Sequence, residues 1–264
     1  MTSLHTDPDP AGGARPRRRH RGIYLLPSLF TTGTLFGGFF AVIASMNGRF
    51  DVAAIAVLFS MVVDSLDGRI ARLTNTATDF GREYDSLCDL VAFGIAASVV
   101  VYGYSLRTLE HVHWLHGQLG AVIALLYAVC TALRLARFNV LTAIAHSNKD
   151  FYGLPSPAAA AVVVFFVWNS YGLGFGGEDV VLPAGILTVG CALLMVSNVR
   201  YYSFKKLNLS RRMRFLPFAA VVIVLAVVSI DPPRILFLLF LLYALSGPAL
   251  AIWRAARRRS SAAG

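Results

Sequence analysis

Charge is scarce in this chain. Only 14% of the 264 residues are charged while 56% are hydrophobic, which excludes a soluble globular domain, where about a quarter of residues carry charge. Cysteine is nearly missing too. Cys88, Cys130 and Cys191 are the only three, and none has the CxxC spacing of a thiolate metal site, so a disulfide framework and a cysteine-bound metal are both excluded. We read them as inert packing residues. No small-residue cleavage site follows the first apolar run, and that run is long enough to span a bilayer, so a secretory signal peptide is not expected. The net charge of +10 comes without any nucleic-acid-binding motif, and no nucleic-acid partner is expected.

What is abundant is long apolar sequence. Runs of the length that crosses a hydrocarbon core recur at 27–46, 51–73, 85–105, 118–139, 155–171, 181–200, 215–230 and 234–253. They predict an all-α integral membrane protein, a bundle of about eight transmembrane helices. Residues 1–22 read as a disordered basic tail and 255–264 as a basic tail at the other terminus, with the membrane domain over 23–254. Basic residues settle the expected orientation. With both termini cytoplasmic, all but Arg49, Arg107 and Arg234 of the 24 lysines and arginines fall on the inner side, as the positive-inside rule requires. A multi-pass protein of the cell membrane is the expectation, its inner face attractive to anionic lipid headgroups and substrates.

Against this apolar background the segment DSLDGRIARLTNTATDFGREYDSLCDL, residues 64–90, stands apart. Helical spacing puts Asp64, Asp67, Gly68 and Ala71 on one stripe of the second helix, and Gly81, Asp85 and Asp89 on one stripe of the third. A tight hairpin can turn these stripes toward each other at the cytoplasmic end. Four converging carboxylates repel unless cations sit among them, and all-oxygen ligation suits a hard divalent ion such as magnesium, manganese or calcium. The small residues at 68, 71 and 81 leave room for a ligand against the backbone, and Arg72 is placed to neutralise a phosphate. Asp51 and Asp231, by contrast, read as ordinary helix caps.

The spacing D-x2-D-G-x2-A-R-x8-G-x3-D-x3-D, carried by Asp64, Asp67, Gly68, Ala71, Arg72, Gly81, Asp85 and Asp89, resembles the signature of the CDP-alcohol phosphotransferases, membrane enzymes that displace CMP from a CDP-linked lipid or alcohol. The resemblance implies that Asp64, Asp67, Asp85 and Asp89 hold two Mg2+ or Mn2+ ions. It implies that Gly68, Ala71, Arg72 and Gly81 contact the CDP portion, that Asp89 doubles as the catalytic base, and that the enzyme is a homodimer. The fragments LRLARFN, FYGLPSPAAA and MVSNVRYYSFK resemble the bacterial and archaeal phosphatidylserine synthases of that family, implying CDP-diacylglycerol and L-serine as substrates. Relatives commonly carry asparagines where Ser28 and Thr34 stand here, and Thr31 is the first-helix candidate for a CDP-lipid contact.

Serine as acceptor needs a cation for its carboxylate. Arg134, Arg137 and Asn139 at the end of the fourth helix, with Ser197, Asn198 and Arg200 at the end of the sixth, are the candidates. Several other features read as structure. Gly33, Gly37 and Ala41 form a close helix-packing face, GLPSP breaks the chain before the fifth helix, Tyr201 and Tyr202 sit in an interfacial aromatic belt, and His111, His113 and His116 lie in a solvated outer loop. Two alternatives stay open: the same chemistry on glycerol phosphate or inositol phosphate, and a cation transporter. The transporter expects mid-membrane carboxylates and an inverted repeat, and none is visible.

Overall fold

The computed structural model describes residues 25–74, 78–111, 118–144, 153–199, 201, 226 and 228–262, and contains no strand among them. Among the described residues seven helices run in order: α1 (Leu25–Met46), α2 (Phe50–Thr74), α3 (Asp79–Tyr104), α4 (Leu119–Ile144), α5 (Ser156–Gly172), α6 (Val181–Val196) and α7 (Pro232–Ala262). A short 3₁₀ segment, Leu106–His111, follows α3. Among the described residues four stretches are long and apolar enough to cross a membrane: Leu29–Met46, Asp79–Tyr104, Leu119–Leu141 and Pro232–Ala251. Leu29, Phe36, Leu125 and Leu242 stay exposed on them, as helices facing lipid require. The expected span at 215–230 lies almost wholly outside the described residues, as do the 1–22 tail, Tyr202, His113 and His116. The last helix runs on through Ala262, beyond the 253 expected for its span.

Local sequence explains the close approaches. A Cβ at Gly37 would stand 2.3 Å from Ser60 Oγ, and one at Gly38 2.5 Å from Ala92 Cα. Two glycines in succession thus let α1 touch α2 on one side and α3 on the other. Ala41 is completely buried one turn further on, so the Gly33, Gly37, Ala41 stripe is the packing face expected. Ser60 Oγ, with no water to meet, donates to Thr34 O at 3.0 Å. α5 is buried nearly all round, from Ala158 through Phe165, and reads as the central post. α7 packs on it through Phe165–Phe240 and Phe166–Phe237, ring centroids 5.8 and 5.6 Å apart.

The direction of the chain alternates, so the bundle has two distinct ends. One gathers the start of α1, the end of α2, the start of α3, the end of α4 and the start of α5, and with them the aspartates. The other carries Phe50, Tyr104 and Tyr171 in edge-to-face contact, with centroids 5.0 to 6.2 Å apart. Tyr201 corrects an expectation: it is 5% exposed, its hydroxyl donates to Ala244 O at 2.9 Å, and its ring fills the space that a side chain at Gly247 would take. It is a packing residue between the link after α6 and α7, not an interfacial aromatic.

Candidate active site

α2 delivers Asp64 and Asp67 from its last three turns, Asp64 half-buried and Asp67 buried. Thr78, an extended residue, accepts Gly81 N–H on its Oγ1 at 3.0 Å and so caps α3. Asp79 in the first turn suits the positive end of the helix dipole and pairs with Arg82 at 2.6 Å. That cap fixes where α3 begins. One turn apart, Asp85 and Asp89 face the end of α2, and Asp64, Asp85 and Asp89 each offer a carboxylate oxygen within 4.8 Å of the others. Asp67 stands beside this trio, near enough for its charge to act on Asp85 and Asp89. Its Oδ2 accepts a hydrogen bond from the buried Thr31 of α1.

Three carboxylates at 4.8 Å repel by about 3 kcal/mol per pair at an effective dielectric of about 20. Asp89 Oδ1 is moreover buried with no hydrogen-bond partner. A buried acceptor left open beside two like charges is costly by itself, and hard-cation ligation is the chemistry that relieves both problems at once. The donor set, all carboxylate oxygen, fits magnesium or manganese.

Among the described residues one guanidinium attends the cluster. Arg134 of α4 lies within electrostatic reach of Asp64 and Asp89. Its Nη1 donates to Ser156 Oγ in the first turn of α5, while its Nε is buried without a partner. Arg137, one turn on and exposed, donates from Nη2 to Asn198 Oδ1 at 2.7 Å and from Nη1 to Val196 O at 3.4 Å.

The model of the CDP-alcohol phosphatidyltransferase family matches residues 24–196. The chain belongs to that family. Among its relatives, the CDP-diacylglycerol–serine O-phosphatidyltransferase of Helicobacter pylori is 37% identical over 227 residues, covering 85% of this chain and 90% of that protein. The enzyme of the same name from Bacillus subtilis is 33% identical over 181 residues, 69% of this chain and 92% of its own. The archaetidylserine synthase of Methanothermobacter thermautotrophicus is 33% identical over 178 residues, 67% and 69% of the two chains.

In this CDP-alcohol phosphatidyltransferase the residues expected for the acceptor divide into groups. Arg137 and Asn198 meet, and Arg134 stands beside the carboxylates. Asn139 turns instead toward α3, its Nδ2 3.0 Å from both Glu83 Oε2 and Ser86 Oγ. Ser197 closes the end of α6 by donating to Leu194 O at 2.8 Å. Arg200 lies outside the described residues. Of the expected CDP contacts, Gly68 is exposed near the end of α2 and Gly81 half-buried in the first turn of α3. Ala71 and Arg72 continue α2, their side chains outside the described residues.

Three side chains around Arg134 escaped sequence reasoning: Ser156, Tyr127 and Tyr243, the tyrosines lying near enough to interact with its charge. Ser156 had a signal in the sequence. It follows Pro155, which cannot continue a helix from before, and a hydroxyl in a first turn faces the end of the bundle.

Proposed function

We propose that this protein transfers the phosphatidyl group of CDP-diacylglycerol to the hydroxyl of L-serine, releasing CMP, as a step of phospholipid biosynthesis. The reading rests on one observation: three carboxylates converge, one of them with a buried unpartnered oxygen, beside a guanidinium whose Nε is also unpartnered. The names of its relatives support serine as the acceptor.

In this reading Asp64, Asp67, Asp85 and Asp89 hold two divalent ions, magnesium or manganese. Bound there, such ions neutralise the diphosphate and stabilise the charge that gathers on departing CMP. The rest is the work of the chain. Thr31 orients Asp67 by its hydrogen bond and borders the CDP subsite. Gly68, Ala71 and Gly81 leave the backbone open to the CDP portion, and Arg72 answers a phosphate charge. Serine docks with its carboxylate toward Arg134 and Arg137, with Asn139, Ser197, Asn198 and Arg200 bordering the pocket. The carboxylate of Asp89 takes the proton of the serine hydroxyl, help worth about 10²–10⁴ in rate. As the serine oxygen bonds to the lipid-bearing phosphorus, the bond from that phosphorus to the oxygen of CMP breaks. The enzyme works as a homodimer in the cell membrane, with both termini and the site on the cytoplasmic side, a placement that the skew of basic residues supports.

The test is purified protein with CDP-diacylglycerol and Mn2+, supplied in turn with serine, glycerol phosphate or inositol phosphate, with CMP release as the readout. Release that depends on serine alone is the expected result. Release with a phosphorylated alcohol but not with serine would transfer the acceptor assignment, and release with none would end the enzyme reading.

A further inference from the structure

α3 is not one uniform helix. Straight after Asp89 it widens into a π turn over Leu90–Ile95, where Ala96 N–H reaches back five residues to Val91 O before the α pattern resumes. Each residue of an α-helix advances the face by about 100°, so the extra residue in the turn lets the two halves of α3 present different faces. Below it, Asp85 and Asp89 look toward α2. Above it, Ala96, Ala97, Val100 and Val101 are buried in the core. Such a turn is intrinsically the weaker form and needs outside support.

The support is visible on both sides. Gly38 of α1 lets Ala92 come so close that a Cβ would lie 2.5 Å from Ala92 Cα. Opposite, Gly94 sits against Thr131 of α4, where a Cβ would be 3.2 Å from Thr131 Cγ2. Between these contacts Tyr127 of α4, completely buried, donates its hydroxyl to Phe93 O at 3.2 Å. A phenol buried this deep among apolar side chains is an expensive way to fill space. Phenylalanine would fill it equally well, and what the hydroxyl adds is a partner for a carbonyl of the π turn.

We propose that Tyr127 is a positioning residue for Asp89: its hydrogen bond to Phe93 O holds the π turn and thereby the orientation in which the Asp89 carboxylate joins Asp64 and Asp85. The inference rests on the reading of that trio as a divalent-cation site. Tyr127 is assigned no substrate contact, and its effect reaches the cations through the rotation of α3; its nearness to Arg134 is a separate interaction that a change in the KM for serine would report.

The experiment is direct Mn2+ binding to the full-length purified protein, read from the electron paramagnetic resonance signal of free Mn2+, alongside kcat and the KM for CDP-diacylglycerol. Tyr127→Phe is expected to weaken Mn2+ binding roughly tenfold, the order seen when the support of a metal ligand is removed, and to lower kcat. Thr188→Val, which removes a buried hydroxyl of α6 that donates to Ala184 O at 2.7 Å, is expected to leave Mn2+ binding unchanged. Gly94→Ala attacks the same turn from a second residue and is expected to act like Tyr127→Phe. Wild-type Mn2+ affinity in both Tyr127→Phe and Gly94→Ala overturns the proposal, as does an equal loss in Thr188→Val. Asp89→Ala in the same titration separates the failures: if wild type binds Mn2+ no better than Asp89→Ala, the cation site itself is wrong, and the role of Tyr127 falls with it.

Discussion

The two ends of the bundle treat their polar atoms in opposite ways. At the end that carries the aromatic trio, Tyr104 Oη donates to Phe175 O at 2.6 Å, Ser105 Oγ to Gly177 O at 2.6 Å, and Thr108 Oγ1 to Ser105 O at 2.7 Å. Asp179 accepts Gly176 N–H at 2.9 Å. Hydroxyls meet carbonyls and a carboxylate meets an amide, so the loop after α5 is sewn onto the end of α3 by its own atoms. At the acidic end, Asp89 Oδ1, Arg134 Nε and Arg82 Nε are buried and unpartnered, and like charges stand within 4.8 Å. Burial makes each such group costly. An end that satisfies itself is scaffold, and an end that leaves one carboxylate oxygen and two guanidinium nitrogens open is built to be completed by something else.

Substitutions can break that contrast or sharpen it. The largest effect is expected for Asp89→Asn, which keeps the shape of the side chain but removes the base: CMP release should fall roughly 10³-fold while CDP-lipid binding partly persists. Asp64→Asn in the same assay should act through Mn2+ affinity instead, so that raised metal restores part of the rate. Near-normal turnover in Asp89→Asn would remove its role as base. A smaller effect is expected for Arg134→Gln, a rise in the KM for serine of roughly tenfold, from loss of a charge-assisted contact, with the KM for CDP-diacylglycerol little changed. An unaltered serine KM would make Arg134 a balancing charge for the carboxylates and nothing more. Smallest is Ser105→Ala at the opposite end, which should cost about 1 kcal/mol of stability in a denaturation measurement and leave turnover at the wild-type level. If Ser105→Ala moved turnover while Asp64→Asn did not, the assignment of scaffold and site to the two ends would be reversed.

Much of the site was legible in sequence because its physics is local. Gly81, Asp85 and Asp89 share a face by helical spacing alone, and no soluble cap explains four aspartates flanked by membrane-length apolar runs. The Gly33, Gly37, Ala41 stripe was legible for the same reason, since small residues at i+4 have one structural use in a crowded helix pair. Legibility stops where a side chain chooses among partners on distant helices. Arg134, Arg137 and Asn139 lie within six residues, yet their hydrogen bonds go to α5, to the end of α6 with the residues just past it, and to α3 respectively. Nothing in LRLARFN separates them. Tyr201 looked like an interfacial aromatic because its neighbours are basic and a belt wants tyrosine there. Gly247, 46 positions later in the sequence, is what draws its ring inward.

From its sequence alone the chain was bound to be helical and to lie in a membrane, because apolar runs without water can satisfy their backbone only within themselves. The aspartate spacing likewise put Asp64 and Asp67 on one helix face and Asp85 and Asp89 on another. Tertiary structure decided the rest: which carboxylate oxygen stays open, which arginine stands beside it, and how a wide turn after Asp89 is clamped by Gly38 and Tyr127. Those outcomes depend on the rotation and separation of whole helices, which are set by the summed packing of residues far apart in the chain, and no local pattern encodes that sum.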